Sequence, residues 1–263
     1  MAVIAPGAKL HPTVKVGPFT VIGPNVEIGE NTTISSNCNI DGFTTIGKNN
    51  VISPSVNIGQ PPQDLKFKGE KSYIKIGDGN HFRECVTVHL AEGEGNSTVI
   101  GDGNLFMAYV HIAHNCKVGS NNIMSNCATL AGHVEIGDRA VLGGFTGIHQ
   151  FCKVGCMVMI GGMSKIVKDV PPFIKIDGNP ARVVGLNAVG LRRNDVSKES
   201  ISKIRHLYKV FFRSGMNVSQ LKDKWDELVE SSDPLIKQFR NFLDKSNRGV
   251  YKRTRRSTAG GDD

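Results

Sequence analysis

Seven of the eight histidines (His11, His81, His89, His111, His114, His133 and His149) lie in the first part of the chain. An imidazole titrates near neutrality, so at pH 7 it can take a proton from a hydroxyl or hold a metal ion. Both tasks require side chains far apart in sequence to meet, and a repeat supplies the means. From Ile4 to Ile166 every sixth residue is apolar, with Asp64, Glu70 and Glu94 the exceptions. A chain that is 39% hydrophobic does not produce that regularity by chance.

Hexads such as KVGPFT, VIGPNV, EIGENT, TIGKNN, KVGSNN and EIGDRA read as a short strand followed by a Gly, Asn, Asp or Pro turn. One such unit cannot bury its apolar side alone and must stack on its neighbours. The simplest closed coil is a triangle of three hexads, with turns stacked about 4.8 Å apart. Ile58 and Ile76 are one 18-residue turn apart by this count, so Gln60–Tyr73 reads as a projecting loop and Glu92–Thr98 as a smaller one. A second inward slot, four residues after the first, holds small side chains: Val14, Thr20, Val26, Cys38, Cys116, Ala128, Val134, Cys152 and Val158. No histidine occupies either inward slot, so none is expected in the core.

Counted in 18-residue turns, His114, His133 and His149 fall at adjacent positions of one corner on successive turns, within about 10 Å along the axis. Gly132 and Gln150 stack directly on His114. Histidines scattered over a surface would not converge in this way. Two chemistries suit the corner: neutral imidazoles holding Zn²⁺, as in a carbonic-anhydrase-like hydratase, or one imidazole acting as general base for acyl transfer beside a backbone oxyanion donor. A purely structural solenoid is a third reading.

The 30 glycines against 12 Phe, 4 Tyr and 1 Trp suit repeated tight turns better than a helical globule. The six cysteines form no C-x-x-C or zinc-finger spacing, and those in the small-residue slot are expected to be reduced and buried. The start shows no basic segment followed by a signal-length apolar run, and no stretch reaches the roughly 20 apolar residues of a membrane span. A soluble, cytoplasmic protein without integral membrane association is expected. The net charge of +8 is partly due to Lys252, Arg253, Arg255 and Arg256. With no basic helix or aromatic platform, it points to an anionic substrate or acidic partner rather than to nucleic acid.

After Val170-Pro171-Pro172 the period changes. Ser197 is an N-cap for a helix to Arg213 with Ile201, Ile204, Leu207, Tyr208, Phe211 and Phe212 inward, stopped by Gly215. Leu221–Val229 reads as a second helix. Asp233-Pro234 opens a third, with Leu235, Phe239, Phe242 and Leu243 on one face. The expected organisation is a mainly β chain: a β-helix over residues 1–186, a small C-terminal α-helical domain over 187–250, and a disordered tail over 251–263.

The hexads resemble those of the bacterial hexapeptide-repeat acyltransferases, which implies a left-handed parallel β-helix and a homotrimer. The general rule for parallel crossovers favours the right hand, so the left hand comes from the resemblance. Longer strings narrow it: Gln63-Asp64-Leu65-Lys66-Phe67, His111-Ile112-Ala113-His114-Asn115-Cys116, Leu130-Ala131-Gly132-His133-Val134, Ile148-His149-Gln150-Phe151, Asp169-Val170-Pro171-Pro172-Phe173 and Gly190-Leu191-Arg192-Arg193. Together with Ser246-Asn247-Arg248-Gly249 they look like the acyl-carrier-protein–UDP-N-acetylglucosamine O-acyltransferases of lipid A biosynthesis, over nearly the whole chain.

That resemblance implies transfer of an R-3-hydroxyacyl chain from acyl carrier protein to the glucosamine 3-hydroxyl of UDP-N-acetylglucosamine. Phosphopantetheine carries the donor, and no metal or other cofactor is required. His114 would be the general base, Gly132 N–H the oxyanion donor and Gln150 the group orienting the base. His111 and His133 would contact the sugar; His149, Asn187 and Arg193 the nucleotide end; Asp64 and Lys66 would reach a neighbouring subunit's cleft. Gly162, with Met163 and Lys165 beside it, would leave room for an acyl chain of about C12–C14. Lys66 as an ordinary loop lysine, and Arg192 or Arg193 as solvated helix-entry charges, are the plainer alternatives; His81 and His89 stand open between structural and surface roles. Asn115 departs from the Asp of many relatives, and Val189 and Asn194 depart from the Glu and second Arg of some. An N-acyltransferase acting on an amino-sugar acceptor in the same pathway is the nearest competing reading.

Overall fold

The hexads become two-residue strands such as Val21–Ile22, Glu27–Ile28 and Thr33–Ile34. A computed structural model describes residues 1–229 and 232–252. Every third strand joins the same sheet, giving parallel stacks of nine, eight and ten strands around a triangular coil; only the last pair, Ile174–Asp177 with Arg182–Leu186, runs antiparallel. Stacking pairs like residue with like, as in Ile22↔Ile40, Ile112↔Leu130 and Leu130↔Ile148. These side chains are at most 2% exposed and form the core. Turning each corner within a few residues puts one residue per corner in the left-handed region, among them Asn31, Asn37, Asn115, His133, Phe145 and Phe151.

The second inward slot is buried from Thr20 onward through the regular coil, Val14 near its open end being half-buried, and the six cysteines are free. Part of the slot is polar. Asn80 Nδ2 donates to Asn50 Oδ1 (3.1 Å), Asn104 Nδ2 to Asn80 Oδ1 (2.9 Å), and the Asn122 N–H to Asn104 Oδ1 (2.8 Å). Each buried carboxamide thereby finds a partner one turn away. The steps of this ladder, 30, 24 and then 18 residues, also correct the loop count. The Gln60–Tyr73 excursion does not stand for a whole turn; it adds two hexads to one turn, and the loop near Glu92 adds one more. Since both insertions are multiples of six, the apolar phase survives while the turn phase shifts twice.

At Asn187 the chain leaves the coil through a short helix absent from the sequence reading, α1 (Ala188–Arg193). Helix α2 (Lys198–Arg213) starts at the Ser197 cap and buries the six side chains its spacing indicated. The second expected helix is broken at Lys224 into α3 (Val218–Asp223) and α4 (Trp225–Leu228), while Leu221, Trp225 and Val229 still point inward. Helix α5 (Pro234–Asp244) is capped by Asp233 and centres its buried face on Ile236, Phe239 and Leu243. The chain then returns to the coil: Ser246 Oγ donates to buried Asp169 (2.6 Å), and the Val167 N–H donates to Tyr251 Oη (3.1 Å). Residues 253–263, most of the expected tail, lie outside the described residues. Among the described residues no helix is long and apolar enough to cross a membrane.

Candidate active site

His114 and Gly132 share the turn slot that elsewhere holds Pro6, Pro12, Pro18, Pro24 and Pro54. Proline fits there because the coil's ladder makes no use of that N–H. Where the slot is not proline, the next turn often caps it: Lys48 N–H donates to Asp78 Oδ1 (2.7 Å) and Ser120 N–H to Asp138 Oδ1 (2.8 Å). Gly132 has neither proline nor cap, and among the described residues its N–H donates to no protein acceptor. The His114 ring lies against it, so close that a Cβ at Gly132 would come 2.5 Å from both Cε1 and Nε2.

The imidazole is held from its other side by Asn115. Asn115 Nδ2 donates to the Glu92 carbonyl (3.0 Å), and Asn115 Oδ1 accepts the Glu92 N–H (2.8 Å). This double bond to one backbone fixes which way the carboxamide points. Its oxygen therefore faces His114 Nδ1 (2.9 Å), so Nδ1 carries the proton and Nε2 is left as the ring's acceptor beside Gly132. The side chain bonded to the ring is thus Asn115, whereas Gln150 is exposed and its main-chain carbonyl lies 3.2 Å from His149 Nδ1. A carboxamide whose orientation is pinned does the tautomer-setting work of the Asp found in many relatives. Asn115→Ala should lower kcat about 10²-fold by freeing the ring, whereas Asn115→Asp, which keeps the Nδ1 acceptor, should stay within about tenfold of the parent. Steady-state kinetics on the two variants, with thermal melts to check folding, would reveal an error here if Asn115→Ala kept the parental kcat.

The exceptions to the six-residue rule belong to the loops that roof this corner. Asp64 Oδ1 accepts the Lys66 N–H (2.9 Å), and Asp64 Oδ2 stands 3.7 Å from His114 Nε2 of its own chain. The loop thus brings Asp64 over His114 of its own coil. At 3.7 Å the contact is too long for a hydrogen bond and leaves the lone pair available. Glu70 accepts the Gly93 N–H (3.0 Å) and Glu94 the Lys71 N–H (2.9 Å), which ties the two loops together. Their charges suit them to this work, since neither position points into the core.

His133 sits edge-on to His114 (centroids 5.2 Å) and stacks on Phe151 (4.6 Å). Burial, and then the neighbouring His114, pull its imidazole below the usual range, against the opposing pull of Glu92 and Asp64. His111 is likewise lowered by burial and by His114, and its Nδ1 is 2.7 Å from Thr87 Oγ1. His89 was expected outside the core but is buried against His111, and burial drives it down to about 4. The reason is the register shift that pairs Gln60 with His89 where the long loop departs. Cys116, two residues from His114, is no rival nucleophile, because burial pushes its thiol up to about 12.

Other expected positions separate from this cluster. His149 is exposed and is not the third member of the group; Glu92, which the sequence reading passed over, takes that place with its Oε2 3.7 Å from His133 Nε2. Asn187 is buried, and its side chain accepts from the Gly190 N–H (3.1 Å), capping α1, and donates to the Met157 carbonyl (2.9 Å). Arg193, with Arg192, is exposed in the last turn of α1, at the exit of a helix and not its entry. Lys66, Gly162, Met163 and Lys165 are surface residues of the single chain.

A family model described as UDP N-acetylglucosamine O-acyltransferase, domain 2, matches residues 169–251, and the bacterial transferase hexapeptide model matches residues 1–36 and 97–132. The acyl-[acyl-carrier-protein]–UDP-N-acetylglucosamine O-acyltransferase of Verminephrobacter eiseniae is 47% identical over 255 residues, covering 95% of this chain and 97% of its own. The chain belongs to that acyltransferase family. Among solved structures, the UDP-N-acetylglucosamine acyltransferase of Francisella novicida superposes with TM-score 0.93 at 38% identity, covering 98% of this chain and 94% of that one. LpxA from Acinetobacter baumannii gives 0.91 at 42% identity, with coverage of 97% and 98%. The fold is that of the family, a left-handed parallel β-helix followed by a small helical part.

Proposed function

We propose that this chain moves an R-3-hydroxyacyl group from acyl carrier protein to the glucosamine 3-hydroxyl of UDP-N-acetylglucosamine, the first step of lipid A biosynthesis. The observation that carries the reading is an imidazole with a free Nε2 beside a backbone N–H without an acceptor. In the proposed reaction the 3-hydroxyl oxygen bonds to the thioester carbonyl carbon while its proton passes to His114 Nε2. The carbonyl oxygen becomes an oxyanion facing Gly132 N–H. Collapse breaks the C–S bond, and the imidazolium returns the proton to the departing phosphopantetheine thiolate. No metal or acyl-cysteine enters.

His111, His133, Asp64 and Lys66 are proposed to hold the sugar, and His149 and Arg193 the nucleotide end. A groove of about 470 Å³ between the coil and α5 is bordered by Lys117, Lys153 and Lys245. It shares Lys117 and Glu135 with a cleft of about 410 Å³ that reaches Asn115 and His133. Such a path suits the phosphate and arm of phosphopantetheine. His149 and Arg193 face outward on one chain, and exposed Phe19, Tyr109, Phe145 and Met163 all occupy positive-φ corners. Both features support a homotrimer in which a second copy completes the cleft, with Gly162, Met163 and Lys165 bounding the acyl path; a monomer in sedimentation would exclude it. The work is proposed to take place in the cytoplasm, where acyl carrier protein is found.

The test is product analysis with UDP-N-acetylglucosamine and a series of 3-hydroxyacyl carrier proteins. An alkali-labile ester on the 3-oxygen, with the best turnover at about C12–C14, is expected. An alkali-stable amide would transfer the reading to N-acylation, and a sharp optimum at about C10 or below would reject open space beside Gly162.

A further inference from the structure

We propose that Glu92, His114 and His133 form a binding site for a divalent transition-metal ion, Zn²⁺ above others, whose occupancy shuts off acyl transfer. One ligand atom from each residue lies within 4.8 Å of the other two. Tetrahedral zinc with bonds of about 2.0–2.2 Å needs its ligands about 3.3–3.5 Å apart, so side-chain rotations of about 1 Å close the set. Two imidazoles and a carboxylate are ligands of the right type for zinc, and one negative charge offsets part of the ion's two.

The support around these ligands is already built. Asn115 binds the main chain of Glu92 through both its N–H and its carbonyl, and binds the His114 ring through Nδ1. Two of the three ligands therefore rest on one clamp, and the clamp leaves His114 Nε2 as the atom facing the metal. A histidine whose second nitrogen is held by a fixed partner is the usual arrangement at metal centres. Asp64 Oδ2, 3.7 Å from that Nε2, supplies a fourth ligand by a small movement. The three side chains are sheltered, at 12–33% exposure, so a bound ion would be partly removed from competing water.

The site differs from the catalytic zinc weighed for this corner, because the lone pair that would bind the ion is the one acyl transfer needs free. Binding stands on geometry alone; only the inhibition rests on His114 being the base. Glu92 has no part in the proposed transfer, and its clamp uses main-chain atoms, so Glu92→Gln separates the two.

The full-length protein, stripped with a chelator and dialysed, is titrated with ZnCl₂ by calorimetry and with Co²⁺ by visible absorption. One ion per chain is expected, with tetrahedral-type Co²⁺ bands. Glu92→Gln should weaken zinc binding at least about tenfold and raise the half-inhibiting zinc concentration in the transfer assay by the same factor, each variant being read against its own metal-free activity. Absence of zinc binding, or equal binding by the parent, Glu92→Gln and His133→Asn, would overturn the site. Zinc bound as described but without inhibition would uphold the site and overturn the base role of His114 instead.

Discussion

Replacing His114 by Ala is expected to lower kcat about 10³-fold while leaving KM for UDP-N-acetylglucosamine within a few-fold, since general-base catalysis contributes roughly 10²–10⁴. The ring makes one side-chain hydrogen bond, to Asn115, and an edge contact with His133, so little of the fold depends on it. The melting temperature should therefore stay close to the parent's. A His114→Ala enzyme retaining more than about a tenth of kcat would show that the proton goes elsewhere. The neighbouring titratable groups offer no ready substitute. His111 Nδ1 is engaged with Thr87 Oγ1, the His133 ring is stacked on Phe151 with its Nε2 3.7 Å from Glu92, and Asp64 is 3.7 Å from His114 Nε2 and not a hydrogen-bonded relay.

The second large effect comes from adding a single methyl group. Gly132→Ala introduces a Cβ 2.5 Å from His114 Nε2 and Cε1, well inside van der Waals contact, and the ring must retreat by about 1 Å. A displacement of that size at a reacting group costs about 10²-fold in rate. The backbone itself takes no strain, because Gly132 is not in the left-handed region. Stability should fall only by the modest overpacking cost of about 1–3 kcal/mol. Gly147, where an added Cβ meets nothing within 4 Å, provides the matched control, and Gly147→Ala should be close to neutral. Turnover and melting curves for both variants decide it. If Gly132→Ala retained full kcat, the close approach of the ring to this corner could not matter to the reaction.

The two effects differ in how much of each could be read from the sequence. His114, Gly132 and the proximity of His133 follow from counting, because residues 100–166 carry no insertion and 18 residues always return the chain to the same corner. The helices after Leu186 were legible where a cap and an apolar face coincided, as at Ser197 and Asp233. They were not legible at Lys224, where tertiary packing breaks one periodic segment into two, nor at Ala188–Arg193, which is too short to show a period. Gln150 was expected to orient the base from the family resemblance, and the hydrogen bond that Asn115, one residue along from His114, makes to the ring was not legible, because a period does not show which way a neighbouring side chain turns.

By itself, the sequence determined the coil, its core and the corner that gathers the imidazoles. Each of these depends on a local period, and a local period accumulates without error along a parallel stack. The tertiary structure alone decided what stands over that corner. Asp64 and Glu92 lie on insertions, and an insertion has no period to carry position from one turn to the next. Their placement is set by loop-to-loop bonds through Glu70 and Glu94 and by the Asn115 clamp, contacts between residues 23 apart that exist only once the coil has closed. For the same reason the bond pinning His114 in its reactive tautomer, and the carboxylate beside His133, appear only in three dimensions.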